Sequence, residues 1–260
     1  MFRQLMTLVF LPATMLCFAT ACNDDDDNNS NEPPQVQSFV DIGFNDIADV
    51  FAEVQDDETV VFLLRHAERG IDFSPAGLLT ENGKAQAQTV GTKIKTEEPA
   101  FYAHSDYERT KQTCENIAAG RGDTFTSEEW DILHGEYFMN DPAKLKASNL
   151  YSWGAAARWA YEGKYEDKGF YNLDSRAAEW MSALKAHLQG PSMKRINVLV
   201  SHDYVVAALT IYASNRQVDL HYYANHKWIN YLAGIAIIID AEGNMRFKTV
   251  RGLSKGVMIK

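Results

Sequence analysis

The stretch TVVFLLRHAER, residues 59–69, decides how the rest of the chain is interpreted. Its first six residues are β-branched or apolar and have charged residues on both sides. A continuous apolar run of this length is typical of a strand buried on both faces of a parallel sheet. The run ends in Arg65 and His66, and Arg69 follows three residues later. The stretch therefore predicts a buried strand that carries charged side chains at its carboxyl end.

Two further strands end in polar side chains. The apolar run at residues 195–200 ends in Ser201-His202-Asp203. A shorter run at residues 101–104 is followed by the polar segment SDYERTKQT, residues 105–113, which contains Arg109. Because ligands of open α/β sheets bind at the carboxyl ends of the strands, we expect these side chains to form one site.

The remaining pattern predicts an α/β fold, a three-layer sandwich with a mostly parallel sheet and helices on both faces. Helical spacing of apolar residues starts near residue 42 and returns in the segments that follow the predicted strands. The helix over residues 79–94 has Thr80 as its N-cap. Residues 229–240 and 245–250 are predicted to form a hairpin. Helices are predicted at these ranges: 42–54, 79–94, 107–119 and 205–212.

The segment at residues 120–190 has a looser pattern and is rich in aromatic residues. We interpret it as a mostly helical insertion that forms a lid over the sheet. Most of its aromatic side chains are expected in the core, and one or two are expected to line a cleft.

The first 21 residues resemble a signal peptide. Arg3 provides a positive start, and the apolar stretch at residues 5–18 is short for a membrane span. The stretch ends in Ala19-Thr20-Ala21-Cys22, which resembles the lipobox of a bacterial lipoprotein, although the usual leucine is Ala19 here. We expect export to the cell envelope and lipidation of Cys22 as an outer-membrane anchor. An ordinary secretory signal cleaved after Ala21 is the alternative.

Residues 22–38 are predicted to be the lipidated cysteine followed by a disordered acidic tether. This segment contains four consecutive aspartates and two prolines and has too few apolar side chains to fold. The aspartates are interpreted either as a plain spacer or as a tag for export to the outer surface. The folded domain is expected at residues 39–260.

The charge of the chain limits its partners. The formal net charge is −10, and no basic cluster is present, so nucleic acid is not an expected partner. The same charge would repel a phosphorylated small molecule unless a local group of arginines reversed the field. Arg65, Arg69 and Arg109 could form such a group.

The polar side chains at the strand ends have the properties that phosphoryl transfer without a metal requires. Histidine is a nucleophile near neutral pH because much of it is unprotonated there. Arginine binds phosphate oxygens with two parallel hydrogen bonds and keeps its charge. A proton donor must assist the departing alkoxide. The sequence therefore predicts a phosphate-ester site with no metal and no cofactor.

Four segments, in this order, resemble the motifs of the histidine phosphatase superfamily, which includes phosphoglycerate mutases, acid phosphatases and phytases. The resemblance covers roughly residues 58–120 and 190–250 and misses the predicted lid. The four segments are these: LRHAER at residues 64–69, LTENGKAQA at 79–87, SDYERTKQT at 105–113 and SHD at 201–203.

The resemblance implies roles for particular residues. His66 would form a phosphohistidine that water then hydrolyses. Arg65, Arg109 and His202 would hold the phosphoryl oxygens. Arg69 is similar to an additional arginine of the acid-phosphatase branch. The implied activity is that of a phosphomonoesterase acting on a small phosphorylated substrate.

The proton donor has two candidates. Asp203 resembles the donor of the acid-phosphatase branch, and its spacing from His202 is fixed, so we favour it. The chain is nearer in length to the mutase branch, where a glutamate from the insertion acts, and Glu136 is the candidate there. The motif also departs from the family at Ala67, which replaces a glycine and is tolerated if its φ is negative.

Two other functions stay open at this point. A mutase shares the phosphohistidine step but returns the phosphoryl group to its substrate, and export argues against it. A lipoprotein that binds a phosphorylated ligand without catalysis is the second alternative. A zinc site at His221 and His226 is not expected, because no third ligand has suitable spacing. Cys114 is expected to be a small core residue. The sequence gives no indication of the oligomeric state.

Overall fold

The computed structural model describes residues 43–222 and 227–252. The predicted signal peptide, Cys22 and the tether lie outside the described residues, as does His226. Within the described part, no helix is both long enough and apolar enough to cross a membrane.

Six strands of the described residues form one mixed sheet in the order β3-β2-β4-β1-β5-β6. β1 is parallel to β4, β4 to β2, and β2 to β3. β5 is antiparallel to β1, and β6 is antiparallel to β5. This confirms the predicted α/β class. The strands are β1 (Thr59–Arg65), β2 (Ala100–His104), β3 (Glu128–Glu129), β4 (Ile196–Ser201), β5 (Gly234–Ile239) and β6 (Met245–Val250).

Helices cover both faces of the sheet. Alternate residues of β1 belong to two separate apolar cores, with Val60 and Phe62 in one and Val61 and Leu63 in the other. A strand can be apolar throughout only if both its faces are covered, and β1 meets this condition. The helices are α1 (Ile47–Ala52), α2 (Glu81–Lys93), α3 (Glu108–Arg121), α4 (Pro142–Ala147), α5 (Trp153–Glu162), α6 (Leu173–Leu188) and α7 (Asp203–Ala213).

The first layer, α1 to α3, positions the segment that carries Arg109. Thr80 caps α2 as predicted, because its Oγ1 accepts a hydrogen bond from the Gly83 N–H at 2.9 Å. The backbones of α2 and α3 touch. A side chain at Gly91 would meet the Ile117 carbonyl at 2.2 Å, and one at Gly120 would meet the Gln88 carbonyl at 2.0 Å. Glycine at these positions therefore allows the two helices to pack backbone against backbone.

The segment 120–190 supplies much of the second layer. It contains α4, α5 and α6 and two short 3-10 helices (Asp131–Leu133 and Glu166–Lys168). Trp159 and Trp180 are fully buried in the same core as α7. Five of the twelve Phe, Tyr and Trp side chains of the segment are buried, and six more pack against a core while partly buried. The idea that part of this segment closes over the site as a lid stays a prediction.

Two features of the sheet differ from the sequence prediction. The first strand of the hairpin begins at Gly234 and not at residue 229. Residues 229–233 instead turn beneath Arg65: the Arg65 N–H donates to the Ala233 carbonyl, and Leu232 has a φ of +59°. β3 was not predicted, because its two residues, Glu128 and Glu129, are charged and exposed.

Candidate active site

The two predicted histidines meet at one edge of the sheet. β1 and β4 are in parallel register with Arg65 opposite Ser201, so His66 and His202 leave the sheet at the same level. The His66 N–H donates to the Ser201 carbonyl at 3.0 Å. The two rings are 5.5 Å apart between centroids and are both buried. Strand register therefore brings together two residues that are 136 positions apart (202 − 66).

A hydrogen bond fixes the tautomer of His66. Its Nδ1 lies 2.8 Å from the Ala67 carbonyl, which can only accept, so Nδ1 carries the proton. Nε2 then keeps its lone pair. Ala67 is held in turn by the Thr113 hydroxyl, which accepts from the Ala67 N–H at 3.0 Å and donates to the Arg109 carbonyl. Ala67 has no positive φ, so alanine replaces glycine there without strain.

The surroundings of His66 keep its ring neutral. Burial lowers the pKa of His66 well below its usual value, and the charges of Arg65 and Arg109 and the nearby His202 ring lower it further. A neutral ring near neutral pH is the form that can attack an electrophile.

Arg65 is almost completely buried at the end of β1. Its Nη1 donates to the Ile229 carbonyl at 2.8 Å, and its Nη2 lies 3.4 Å from Oδ2 of Asp203. The guanidinium also lies over the Tyr231 ring, 4.4 Å from the centroid. These contacts fix the guanidinium beside His66, where its charge can hold an anion.

Arg109 reaches the site from the first turn of α3. Its Nη1 donates to the Ser74 carbonyl at 3.0 Å, and its Nη2 lies 3.5 Å from Nδ1 of His202. Its Nε is buried and has no hydrogen-bond partner among the described residues. Burial, together with the charges of Arg69 and Arg65, lowers the pKa of Arg109, although an arginine stays charged in proteins. A bound anion would relieve this concentration of positive charge.

His202 is held by a chain of hydroxyl groups behind the site. Its Nε2 lies 2.8 Å from Oγ of Ser105, and that oxygen lies 2.9 Å from Oγ1 of Thr110. The Thr110 hydroxyl donates to the Tyr107 carbonyl, so the Ser105 hydroxyl donates to Thr110. Nε2–H of His202 in turn donates to Ser105. Burial, followed by the charge of Arg109, lowers the pKa of His202 to about 3. Nδ1 of His202 consequently faces Arg109 as an acceptor.

Arg69 lies at the rim of the site. Its Nη1 donates to the Gly70 carbonyl at 2.9 Å, and its guanidinium stacks on the Phe73 ring, 3.6 Å from the centroid. Its charge contributes to the lowered pKa values of Arg65 and Arg109, so its field extends to both.

The two candidate proton donors have different surroundings. Oδ2 of Asp203 accepts from Nε1 of Trp153 at 2.8 Å and lies beside Arg65, while Oδ1 accepts from the Tyr204 N–H. Glu136 is about half exposed. Its Oε1 accepts from the Tyr151 hydroxyl at 3.0 Å and from Lys146 at 3.1 Å.

The Glu136 segment lies next to His202. The preceding residue, Gly135, packs on the His202 ring, because a Cβ built there would lie 3.1 Å from a ring carbon. Tyr151, the partner of Glu136, has its pKa raised by burial first and then by Glu136, Tyr107 and Asp203. Glu136 and Asp203 therefore both border the site.

Several residues of the site were not assigned a role from the sequence. Ser105, Thr110 and Thr113 belong to the polar segment 105–113, and their spacing from Arg109 was a usable signal. Trp153 and Tyr231 reach the site through contacts distant in sequence, and nothing in their local pattern indicated this.

The residues outside the site have ordinary surroundings. Within residues 43–222 and 227–252, no three His, Cys, Asp or Glu side chains are grouped closely enough to hold a metal ion. Whether the reaction needs a metal stays a prediction. His221 stacks on Tyr161 and lies 3.5 Å from Asp219. Cys114 is buried in the core as predicted, and burial raises the pKa of its thiol.

Residues 61–250 match the model of the histidine phosphatase superfamily (branch 1). The chain belongs to this superfamily. The matched range includes both histidines, the three arginines and the segment 120–190. The match gives no role to Asp203 or Glu136, and the likeness of Arg69 and Asp203 to the acid-phosphatase branch stays a prediction.

Solved structures with a similar fold include the following three. YhfR of Bacillus stearothermophilus is 17% identical, with a TM-score of 0.48, over 77% of this chain and 98% of that one. The phosphoglycerate mutase of Bacillus anthracis str. Sterne is 15% identical, with a TM-score of 0.48, over 75% and 93%. A mycobacterial glucosyl-3-phosphoglycerate phosphatase is 17% identical, with a TM-score of 0.46, over 76% and 100%. These likenesses concern the fold alone. No curated protein matches the sequence significantly.

Proposed function

We propose that this protein is a phosphomonoesterase that hydrolyses a small phosphate ester through a phosphohistidine on His66, without a metal. One observation carries the proposal: the Nδ1 proton of His66 is committed to the Ala67 carbonyl, beside Arg65 and Arg109. Nε2 is thereby a neutral nucleophile within a field that attracts an anion.

The arginines and His202 would bind the phosphoryl oxygens. Arg65 and Arg109 offer N–H donors from fixed positions, and Arg69 adds positive charge from the rim. A phosphate oxygen that accepts from Arg109 would also approach Nδ1 of His202, which can donate only when it is protonated. We infer that His202 takes up a proton when a dianion binds, because the anion raises its pKa.

The reaction would have two steps. Nε2 of His66 attacks phosphorus, the P–O bond to the alcohol breaks, and the departing oxygen takes a proton from an acid. Water then attacks the phosphohistidine, the P–N bond breaks and inorganic phosphate leaves, while the same carboxylate accepts the proton from water. The second step regenerates His66 and the acid.

We assign the acid to Glu136, with Asp203 as the alternative. Both oxygens of Asp203 accept N–H donors, and Arg65 lies beside one of them, so a proton on Asp203 would replace a favourable contact. Both contacts of Glu136 involve Oε1 alone. The surroundings thus favour Glu136, whereas the spacing in the sequence favours Asp203. If Glu136 is the acid, Asp203 acts by orienting Arg65.

The test uses the domain from Phe39 onward with 4-nitrophenyl phosphate in EDTA, beside His66→Ala and His66→Asn. We expect turnover by the unaltered domain in EDTA and none by either variant at equal folded concentration. Activity that survives both substitutions, or that EDTA alone abolishes, overturns the mechanism. Product analysis with a second alcohol present distinguishes two reactions. Hydrolysis releases inorganic phosphate, whereas a mutase would transfer the phosphoryl group to an alcohol.

We also propose that the protein is exported and anchored in the cell envelope through a lipid on Cys22. The support is the sequence of residues 1–22. Labelling with a radioactive fatty acid in a bacterial host should mark the full chain and not Cys22→Ser. Label on the serine variant, or an unlabelled full chain in the cytoplasm, contradicts this part of the proposal.

A further inference from the structure

An exposed apolar loop lies beside the phosphate-binding arginines. We call residues 70–78 (GIDFSPAGL) the apolar loop. Three of its side chains are turned to solvent: Ile71 is 96% exposed, Phe73 is 69% exposed and Leu78 is 51% exposed. Among the described residues, Tyr171 is the only other large hydrophobic side chain that is exposed. Apolar exposure is therefore concentrated on one loop, which is the pattern of a binding surface.

The apolar loop has a defined conformation. Its base is closed by a bridge between Arg69 and Leu79 and by the Gly70 N–H, which donates to the Leu78 carbonyl at 3.0 Å. At its tip the Gly77 N–H donates to the Ser74 carbonyl. The backbone is so tight there that a Cβ at Gly77 would lie 2.3 Å from the Asp72 carbonyl. A closed loop of this kind presents its apolar side chains at fixed positions.

The same loop is attached to the phosphate-binding residues. The Phe73 ring stacks on the Arg69 guanidinium at 3.6 Å, and the Ser74 carbonyl accepts from Arg109 at 3.0 Å. The Glu108 N–H donates to the Pro75 carbonyl at 2.9 Å, which joins the tip to the start of α3. A phosphate bound by Arg109 would therefore lie close to the loop, separated from it by no more than the length of the Arg109 side chain.

The remaining rim is aromatic, with carboxylates outside it. The half-buried Tyr107 ring lies 4.7 Å from the His202 ring, and the half-buried Tyr231 ring lies 5.6 Å from that of His66. Asp72 within the loop is exposed, as are Asp106 and Glu108 at the start of α3. This rim offers contact to an apolar group and repels a second negative charge.

We propose that the preferred substrates are monophosphate esters of apolar alcohols, whose aryl or alkyl group lies against the apolar loop. This proposal rests on the proposed phosphatase function and adds the class of its leaving group. The occupant is the alcohol part of the substrate because the loop contacts Arg69 through Phe73 and Arg109 through Ser74, so the ester group of a phosphate bound by these arginines lies next to the loop. Polyphosphorylated sugars or inositols would bring further negative charge to the carboxylates.

A series of alkyl phosphates tests this proposal without changing the chemistry. Ethyl, butyl and hexyl alcohols are leaving groups of nearly equal basicity, so differences in kcat/KM report binding. Each fully buried methylene contributes about a fourfold gain. We expect kcat/KM to rise at least about tenfold from ethyl to hexyl phosphate, because the four added methylenes would be partly covered.

The matched variants are Ile71→Ser with Leu78→Ser, and the conservative Ile71→Leu. Neither residue is assigned to phosphate binding, so ethyl phosphate should be hydrolysed at an unchanged rate by both. The double serine variant should lose most of the gain with chain length, and Ile71→Leu should keep it. Hydrolysis of ethyl and hexyl phosphate with equal kcat/KM by the unaltered protein overturns this proposal and leaves the phosphatase function standing. Turnover of no phosphate ester at all contradicts the phosphatase function itself.

A membrane lipid and a soluble ester share this chemistry, and a separate arm of the experiment distinguishes them. Dioleoyl phosphatidic acid in phosphatidylcholine vesicles is offered beside soluble hexyl phosphate. Release of phosphate from both indicates a lipid source, and release from hexyl phosphate alone indicates a soluble one. Faster release from inositol hexakisphosphate than from hexyl phosphate would contradict the proposal in either case.

Discussion

The floor and the mouth of the site are built in different ways. The floor consists of Arg65, His66, Arg109 and His202, which are all buried and bonded to backbone or to each other. The mouth consists of the apolar loop together with Glu136, Tyr151 and Trp153, which are partly or largely exposed. The floor is held by the ends of β1 and β4 and the start of α3, whereas the mouth consists of loops and of the insertion at residues 120–190.

Under the proposed function, the chemistry belongs to the floor and the choice of substrate belongs to the mouth. Charged groups that are buried and fixed before a ligand arrives need no reorganisation when charge develops on the substrate. Side chains on exposed loops can differ between proteins without disturbing the fold. Substitutions in the floor should therefore slow every substrate, while those in the mouth should act on some substrates and not on others.

Loss of charge in the floor should have the largest effect. Arg109→Gln should lower kcat/KM for all phosphate esters by about 10³-fold, because it removes fixed donors from the developing negative charge. The matched control is Arg195→Gln, since Arg195 pairs with Glu98 at the opposite end of β4. Steady-state rates with an aryl and an alkyl phosphate measure the effect. A drop of less than about tenfold with both would remove Arg109 from the phosphate site.

Substitution of the proton donor should separate substrates. Glu136→Gln should lower kcat/KM for hexyl phosphate by about 10²-fold and that for 4-nitrophenyl phosphate only slightly, because kcat/KM reports the first step and a nitrophenolate departs without a proton. Asp203→Asn should slow both to a similar extent, since it removes the partner of Arg65. If the selective loss occurs in Asp203→Asn and Glu136→Gln has no effect, then Asp203 is the acid.

A smaller effect is expected behind the floor. Ser105→Ala leaves the buried Nε2–H of His202 without its acceptor and should lower kcat about tenfold, with little change in KM. The measurement is the pH profile of kcat, which should also shift, since the ring is then free to adopt the other tautomer. Ser182→Ala, whose hydroxyl donates to the Ala178 carbonyl on α6, is the control. A loss of stability with unchanged kcat and pH profile would show a merely structural role.

The smallest effect is a dependence of anion binding on pH. The pKa of His202 is about 3 in the absence of an anion, and a dianion would raise it, so binding takes up a proton. Sulfate, which stays a dianion, should therefore bind several-fold more tightly at about pH 5 than at about pH 8. Calorimetry should show this in Glu136→Gln as well and not in His202→Gln. Equal affinity at both pH values in the unaltered protein would contradict the coupling.

The sequence predicted the floor far better than the mouth, and for a physical reason. β1 and β4 are apolar on both faces, so their position in the sheet and the residues at their ends follow from local pattern. Arg65, His66 and His202 were expected there, and the register of the two strands brings them together. The short strand before Arg109 was found in the same way.

The mouth depends on contacts that no local pattern reports. Trp153 reaches Asp203 across 50 residues, and Tyr231 reaches His66 only because residues 229–233 turn beneath Arg65. From the sequence, the hairpin was predicted to include those residues, because Ile229 is as apolar as the residues of the strand that follows. Arg69 was expected with the other arginines, and the structure places it against Phe73 at the rim.

The central claim is that the phosphoryl group passes through His66, and trapping the intermediate tests it most directly. A phosphate ester labelled on phosphorus is mixed with the domain, quenched in alkali within one turnover and digested. We expect label that is stable to alkali and released by acid, on the peptide containing His66, and no label in His66→Asn. Label on His202, label that persists in His66→Asn, or rapid turnover with no labelled peptide would contradict it.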